Sequence, residues 1–277
     1  MPGTLYVVAT PLGNLGDLSP RAADALRQAA VVAAEDTRRT RGLLSHLGAS
    51  PALLSFHAHS GERRLETLLE ILADGRDVAL VTDAGTPGVS DPGTDLVAAA
   101  HEAGFGVVPI PGPSAVATAL SAAGISADRY LFLGFIPRKG AERTRLLDRA
   151  AAEEWSVVMF EAPSRLVSLL SDLVAVAGPD RRAMVARELT KLHEELRAGT
   201  LAELADYYSE TAPRGEITIV MEGTGAPAAP PDRTADAMEE ATALLAEGLS
   251  RREVARRLTE TMGLPRNDAY RLVMGLP

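Results

Sequence analysis

Short, unbroken apolar runs recur along the first half of the chain, separated by stretches of helical period. Residues 4–10 (TLYVVAT), 31–36 (VVAAED), 77–82 (DVALVT) and 106–110 (GVVPI) are runs of the first kind. Apolar residues at successive positions fit strands covered on both faces, as inside a parallel sheet. Residues 20–29, 61–75, 92–104 and 114–124 carry the helical pattern between them. The punctuation agrees: Ser19 and Pro20 stand as N-cap and first helical residue, and Gly75 closes the second helix. Strands alternating with helices predict an α/β unit with a mainly parallel sheet.

The pattern restarts near residue 127. Strands are expected at 129–135, 155–161, 182–188 and 216–222, with helices around 141–153, 163–176 and 200–209. Residues 223–232 (GTGAPAAPPD) read as a Pro/Ala/Gly linker. From Arg233 the tail is helical. Ser250 and Glu253 have capping-box spacing, Gly263 ends that helix, and 265–275 follows after a tight turn, which gives a helix-turn-helix look. The chain therefore divides into an α/β domain at 1–126, a second α/β domain at 127–223 and a small helical module at 233–277.

Composition narrows the class. The chain's 277 residues leave room for more than one core. No apolar stretch reaches the length of a membrane span, and the N-terminus lacks the charged lead and apolar core of a signal peptide. Cysteine is absent, which excludes disulfides, thiolate metal sites and a cysteine nucleophile and fits a reducing cytoplasm. A net charge of −9 argues mildly against a nucleic-acid partner. The positive charge is nonetheless clustered, at 38–41, 137–149 and 249–277, and such patches are all that phosphate contact needs. Of the 28 basic residues only Lys139 and Lys191 are lysines.

Three loops at predicted strand ends are rich in glycine, serine and proline. In open parallel sheets, ligands sit beyond the carboxyl ends of the strands. Residues 83–93 (DAGTPGVSDPG) pack three glycines, two prolines and two aspartates into one such loop. Asp83 follows the strand directly and suits an amine or a ribose hydroxyl, whereas Asp91, just before Pro92, reads as the N-cap of the next helix. Residues 109–115 (PIPGPSA) end on Ser114, at a helix start whose free N–H groups favour a polar ligand. The third loop, 9–17 (ATPLGNLGD), has G-x-x-G spacing, so neither a dinucleotide fingerprint nor a phosphate P-loop is present.

These loops, together with AAEDTRRTRGLL (33–44), GFIPRKG (134–140) and ARELTK (186–191), carry a family resemblance over essentially the whole chain. The sequence resembles the small-subunit ribosomal RNA cytidine 2′-O-methyltransferases of the tetrapyrrole-methylase superfamily. The resemblance implies two α/β domains of the class III methyltransferase type, with S-adenosylmethionine (SAM) in the cleft between them. It also implies a homodimer acting on a cytidine ribose in the decoding region of 16S ribosomal RNA, free or in the assembled small subunit. Under it, SAM lies against Leu12, Asp83, Ala84, Gly85, Thr86, Ser114 and Ala115, closed by Phe160 from the second domain. Two stretches depart from the pattern: FEAPSR (160–165) has Phe160 and Ser164 where the family commonly has tyrosine and histidine, and SFHAHSGE (55–62) keeps His57 and His59 but has Ser60-Gly61 where the family favours asparagine.

A ribose hydroxyl is a poor nucleophile, so a base or a cation beside it should help. Polar strand-end residues supply the candidates: Asp36, Glu161, Glu188 and Lys191, with Glu35 beside them. Lys191 attracts attention because an ammonium pKa falls readily on burial. RNA contact is expected at Arg38, Arg39, Arg138, Lys139 and Arg165. His57 and His59 lack further clustered ligands, so no metal is assigned. Two other readings stay open: a methyltransferase acting on a corrin precursor, and a nucleotide-binding regulator without turnover.

Overall fold

The computed structural model describes residues 1–225, 234–246, 248–262 and 266–275. The predicted linker falls mostly outside them, at 226–232, as does the predicted helix end at Gly263. Two compact units result, Met1–Thr224 and Gly225–Pro277.

The first unit opens with β1 (Thr4–Val8), α1 (Pro20–Gln28), β2 (Val31–Ala34), α2 (Thr37–His46) and β3 (Ala52–Ser55). It continues with α3 (Glu62–Ala73), β4 (Val78–Val81), α4 (Thr94–Glu102), β5 (Gly106–Ile110) and α5 (Ala115–Ala122). The strands form one parallel sheet in the order β3-β2-β4-β1-β5. The fully buried run of β4 is explained by its alternation. Val78 and Leu80 join one core with Leu5, Leu68, Leu72 and Leu96, while Ala79 and Val81 join the opposite one with Val8, Leu26, Val32 and Ile110. Ser19 caps α1 as expected, accepting from the Ala22 amide at 3.1 Å, with Pro20 in the first turn.

Two elements around this first sheet were not anticipated. Three arginines mask the short apolar stripe of α2, and β3 is a four-residue, partly exposed edge strand. One cap is also corrected. The N-cap of α4 is Gly93, not Asp91; its φ is +128°, and a Cβ there would stand 2.7 Å from Leu80 Cδ2.

The same unit goes on through β6 (Tyr130–Phe135), α6 (Ala141–Ala152), β7 (Ser156–Glu161), α7 (Leu166–Ala177), β8 (Arg182–Arg187), β9 (Glu195–Thr200), α8 (Leu201–Glu210) and β10 (Ile217–Met221). This second sheet runs β6-β7-β10-β8-β9 and is mixed: only β6 and β7 are parallel. The unpredicted β9 is its edge strand, whose half-exposed polar alternation gives no apolar run. Helix α5 fastens the two sheets together. Its Val116, Ala119 and Leu120 share one core with Val158, Met184, Ala186 and Val220 of the second sheet.

The second unit holds α9 (Thr234–Ala246), α10 (Arg251–Met262) and α11 (Arg266–Met274) around Ala241, Leu244, Val254, Leu258, Ala269 and Val273. The predicted capping box is present: the Glu253 amide donates to Ser250 Oγ at 3.3 Å, and the Ser250 amide to Glu253 Oε2 at 3.0 Å. None of the described helices is long and apolar enough to cross a membrane.

Candidate active site

Loops from both sheets enclose a cleft of about 400 Å³. The first sheet contributes Leu12 after β1, Glu35 after β2, residues 83–86 and 89–91 after β4, and Ser114–Val116 after β5. The second contributes Phe135 at the end of β6, residues 160–163 at the end of β7, Leu189 after β8, and residues 215–218 where β10 begins. All eight residues expected to hold SAM line this one cleft.

Its floor is tied by backbone. The Thr10 and Gly85 amides donate to each other's carbonyls at 2.9 and 3.0 Å, and Thr10 Oγ1 donates to the Thr82 carbonyl at 3.1 Å. Thr86 Oγ1 donates to the Pro113 carbonyl at 3.2 Å, which fixes the β4 loop against the β5 loop. Gly85 adopts φ +82°, open to glycine and costly for a branched residue. Across the cleft, Phe160 packs edge-on against Phe132 and Phe135, with centroids 4.9 and 5.6 Å apart. Phe135 stays 56% exposed. A register shift in β6 between Phe132 and Phe135 precedes this turn outward.

Five carboxyl groups and a single guanidinium, that of Arg39, line the cleft. Four of the five are engaged. Asp83 accepts from the Asp36 amide at 3.0 Å and pairs with Arg39 at 3.5 Å, and Glu35 receives the Asp83 amide at 3.4 Å. Glu161, almost wholly buried, accepts from the Ala162 amide at 2.8 Å and pairs with Arg165 at 2.9 Å. Burial raises its pKa against the opposing pull of that amide and of Arg165. Glu216 meets Lys191 at 3.1 Å. Asp91 alone has no hydrogen-bond or ion-pair partner among the described residues. Burial, with Glu35, Asp83 and Glu216 nearby, pushes its pKa up to about 7. The preceding Ser90 holds φ +62°, and its Oγ stands 2.9 Å from where a Cβ on Gly134 would lie. Sequence reading missed Asp91 because Asp-Pro is an ordinary helix opening; Gly93, two residues on, marks the cap instead.

Other candidates take different places. Asp36 caps α2, accepting from the Arg38 amide at 2.8 Å, and holds the Arg38 guanidinium at 2.7 Å. Arg38 keeps the Asp36 carboxyl well below the usual range, and Asp36 is not among the residues lining the cleft. Lys191 is no neutral base. Burial alone would lower its pKa, but the Glu188 carboxylate at 2.8 Å and Glu216 hold it above the ordinary lysine value. The same contact holds Glu188 below its ordinary value, although burial alone would raise it. Glu188 and Thr190 have φ +52° and +65°, and Leu189 between them faces the cleft. Strain of this kind costs about 1–3 kcal/mol per residue and gathers at functional sites.

The Lys191 stem packs on Gly13, where a Cβ would fall 2.2 Å from its Cγ, and the Asn14 amide donates to Thr190 Oγ1 at 3.2 Å. Lys191→Ala should leave half-buried Glu188 with only the Glu216 amide and exposed Glu216 without its ion pair, and cost about 1 kcal/mol, measured as a lower urea midpoint. An unchanged midpoint would show that the clasp is slack.

Among the basic residues expected at RNA, Arg39 reaches into the cleft, Arg38 is bound to Asp36 on the surface, and Lys139 is exposed before α6. Arg138 and Arg165 lie together beside the cleft, around a separate cavity.

The two sheets, joined through α5, enclose one acidic cleft. The family model for Tetrapyrrole (Corrin/Porphyrin) Methylases matches residues 4–205. Solved structures agree on the fold. A cobalt precorrin-4 methyltransferase aligns with TM-score 0.63 at 19% identity, over 79% of this chain and 94% of its own. A uroporphyrin-III C-methyltransferase from Thermus thermophilus, complexed with S-adenyl homocysteine, aligns with TM-score 0.57 at 19% identity, over 79% and 97%. Curated relatives are nearer. Ribosomal RNA small subunit methyltransferase I of Synechocystis is 44% identical over 99% of this chain and 98% of its own. That of Escherichia coli O157:H7 is 41% identical over 98% and 95%, and that of Micromonospora olivasterospora 45% over 98% and 86%. The chain belongs to the ribosomal RNA small subunit methyltransferase I family.

Proposed function

We propose that this protein methylates the 2′-oxygen of a cytidine ribose in small-subunit ribosomal RNA, using SAM. The observation that carries the reading is the match at 44% identity across nearly the whole chain, C-terminal helices included. The cleft fits the cofactor by charge. SAM carries a sulfonium, and although Asp83, Glu161 and Glu216 are paired with Arg39, Arg165 and Lys191, Glu35 and Asp91 have no cationic partner among the described residues, which leaves a cation-attracting lining. Its volume of about 400 Å³ lies within the range of small-molecule sites. Leu12, Asp83–Thr86, Ser114, Ala115 and Phe160 would hold SAM, which supplies an electrophilic methyl group when bound.

The chain's own residues do the rest. Asp91, without a partner among the described residues and with its pKa pushed by burial up to about 7, takes the proton from the ribose hydroxyl. Glu161 is held by Arg165 and Glu216 by Lys191, so neither is free to meet the ribose hydroxyl. Phe135, exposed beside Phe160, offers a face on which the target base stacks. Aligning the hydroxyl with the methyl supplies on the order of 7–11 kcal/mol of the barrier reduction.

An acidic cleft disfavours a polycarboxylate tetrapyrrole, whereas an RNA strand enters one nucleoside at a time and leaves its phosphates at the basic rim. This reading carries a homodimer at work in the cytoplasm, with the C-terminal helical module adding RNA affinity. A chain ending near Gly225 should bind SAM like the full chain but methylate RNA poorly at elevated salt. Equal rates for the two would remove the module from RNA binding. Incubation with labelled SAM and either small-subunit particles or a corrin precursor tests the substrate class. Label in the RNA supports the proposal; label in the corrin alone overturns it.

A further inference from the structure

Beside the cleft lies a second cavity of about 350 Å³, lined by Arg138, Arg143, Ser164, Arg165 and Ser168. Two of its three guanidinium groups are held rigidly. Arg143 donates to Asp172 Oδ2 at 3.1 and 2.5 Å and to the Pro137 carbonyl at 2.9 Å. Arg165 donates to Glu161 Oε2 at 2.9 Å and to the Ile136 carbonyl. Arg138 has no hydrogen-bond or ion-pair partner among the described residues, and neither do the hydroxyls of Ser164 and Ser168. Ser164 lies in the short turn Pro163–Arg165 before α7 and Ser168 in the first turn of α7, and both line the cavity.

The charge count sets the ligand. Asp172 and Glu161 offset two of the three guanidinium groups, which leaves a single positive charge at the cavity wall. Pre-positioned guanidinium donors with two free hydroxyls suit a tetrahedral oxyanion, and a single net charge suits a phosphodiester better than a near-dianionic phosphomonoester.

Two segments run from the cleft into this cavity. Phe135 lines the cleft and Arg138 the cavity. Glu161, Ala162 and Pro163 line the cleft, and the next two residues, Ser164 and Arg165, line the cavity. The Glu161–Arg165 ion pair links a residue lining the cleft to one lining the cavity.

We propose that this cavity seats one backbone phosphodiester of the RNA strand and so sets which nucleotide enters the cleft. The inference rests on the RNA reading above. It gives Arg138 the ligand contact and gives Arg143 and Arg165 the work of holding the cavity's shape. Ser164, where the resemblance implies a histidine, provides room and a hydroxyl donor at its wall.

The test measures methylation of small-subunit particles by the full-length enzyme across a salt series. Arg138→Ala should raise the KM for particles about tenfold, with kcat and SAM affinity near wild type. It should also flatten the log–log salt dependence by about 0.7, the step for one lost single-strand phosphate contact. Ser164→Asp, which cancels the spare positive charge, should raise KM at least as far. Arg76→Ala removes an equal, exposed charge next to the amino end of β4, away from the cleft, and should change neither slope nor KM. A dinucleoside phosphodiester should compete with particles in the wild type and lose that effect in Arg138→Ala, whereas inorganic phosphate should compete equally poorly against both. An Arg138→Ala slope equal to wild type, or an equal loss in Arg76→Ala, overturns the phosphate seat while leaving RNA methylation intact. Absence of RNA methylation by the wild type overturns the functional reading instead.

Discussion

Asp91→Asn lowers turnover by about 10²–10⁴-fold, the usual contribution of a positioned general base, while SAM still binds. Four of the five carboxylates in the cleft already accept from an amide or pair with a cation. Asp91 has no such partner among the described residues, and its pKa of about 7 places its change of charge in the working range. Only the deprotonated form takes a proton. In the wild type, kcat/KM for RNA therefore climbs about tenfold per pH unit below 7 and levels off above it. The variant should lose that limb. Stability moves the other way. Because the folded-state pKa is raised, the folded protein holds its proton more tightly than the unfolded chain between about pH 4 and 7. That advantage is present in acid and lost as pH rises through 7, so the ionised carboxylate is a burden at pH 8. Asp91→Asn removes the burden and should raise the thermal midpoint at pH 8. Wild-type turnover in the variant, or an unchanged pH limb, would dismiss Asp91 as the base.

Gly85→Val should abolish SAM binding in calorimetry while circular dichroism reports an intact fold. A branched residue at φ +82° costs about 1–3 kcal/mol, and the loop can relieve it only by leaving the paired contact with Thr10. The valine methyl groups would also extend from a Cβ already 3.5 Å from Leu12 Cδ2, at the floor of the cleft. Unchanged affinity would place SAM elsewhere.

The first sheet was legible because β1, β2 and β4 are inner strands with apolar runs, and the edge strand β5, though partly exposed, keeps an apolar run of its own. The edge strands β3 and β9 gave no such run, because they carry half-exposed residues, and three exposed arginines mask α2. The cleft's loops could be found because glycine and serine at strand ends have a backbone reason to be there. Its charges could not be sorted, since their roles depend on partners distant in sequence. Asp36 is spoken for by Arg38 and its own helix, Lys191 by Glu188 and Glu216, and Asp91 is left free because Gly93 takes the cap. Ser90 and Glu188 hold left-handed backbone that nothing in their side chains announces.

The central claim is the acceptor atom. A 2′-O-methyl group blocks alkaline cleavage of the adjacent phosphodiester, because that reaction needs the free hydroxyl. Small-subunit particles are treated with the enzyme and SAM, and the extracted RNA is hydrolysed with alkali and mapped for gaps. One new alkali-resistant bond on the 3′ side of a cytidine is the predicted result. Methyl label recovered on a base, with every bond still cleaved, would contradict it.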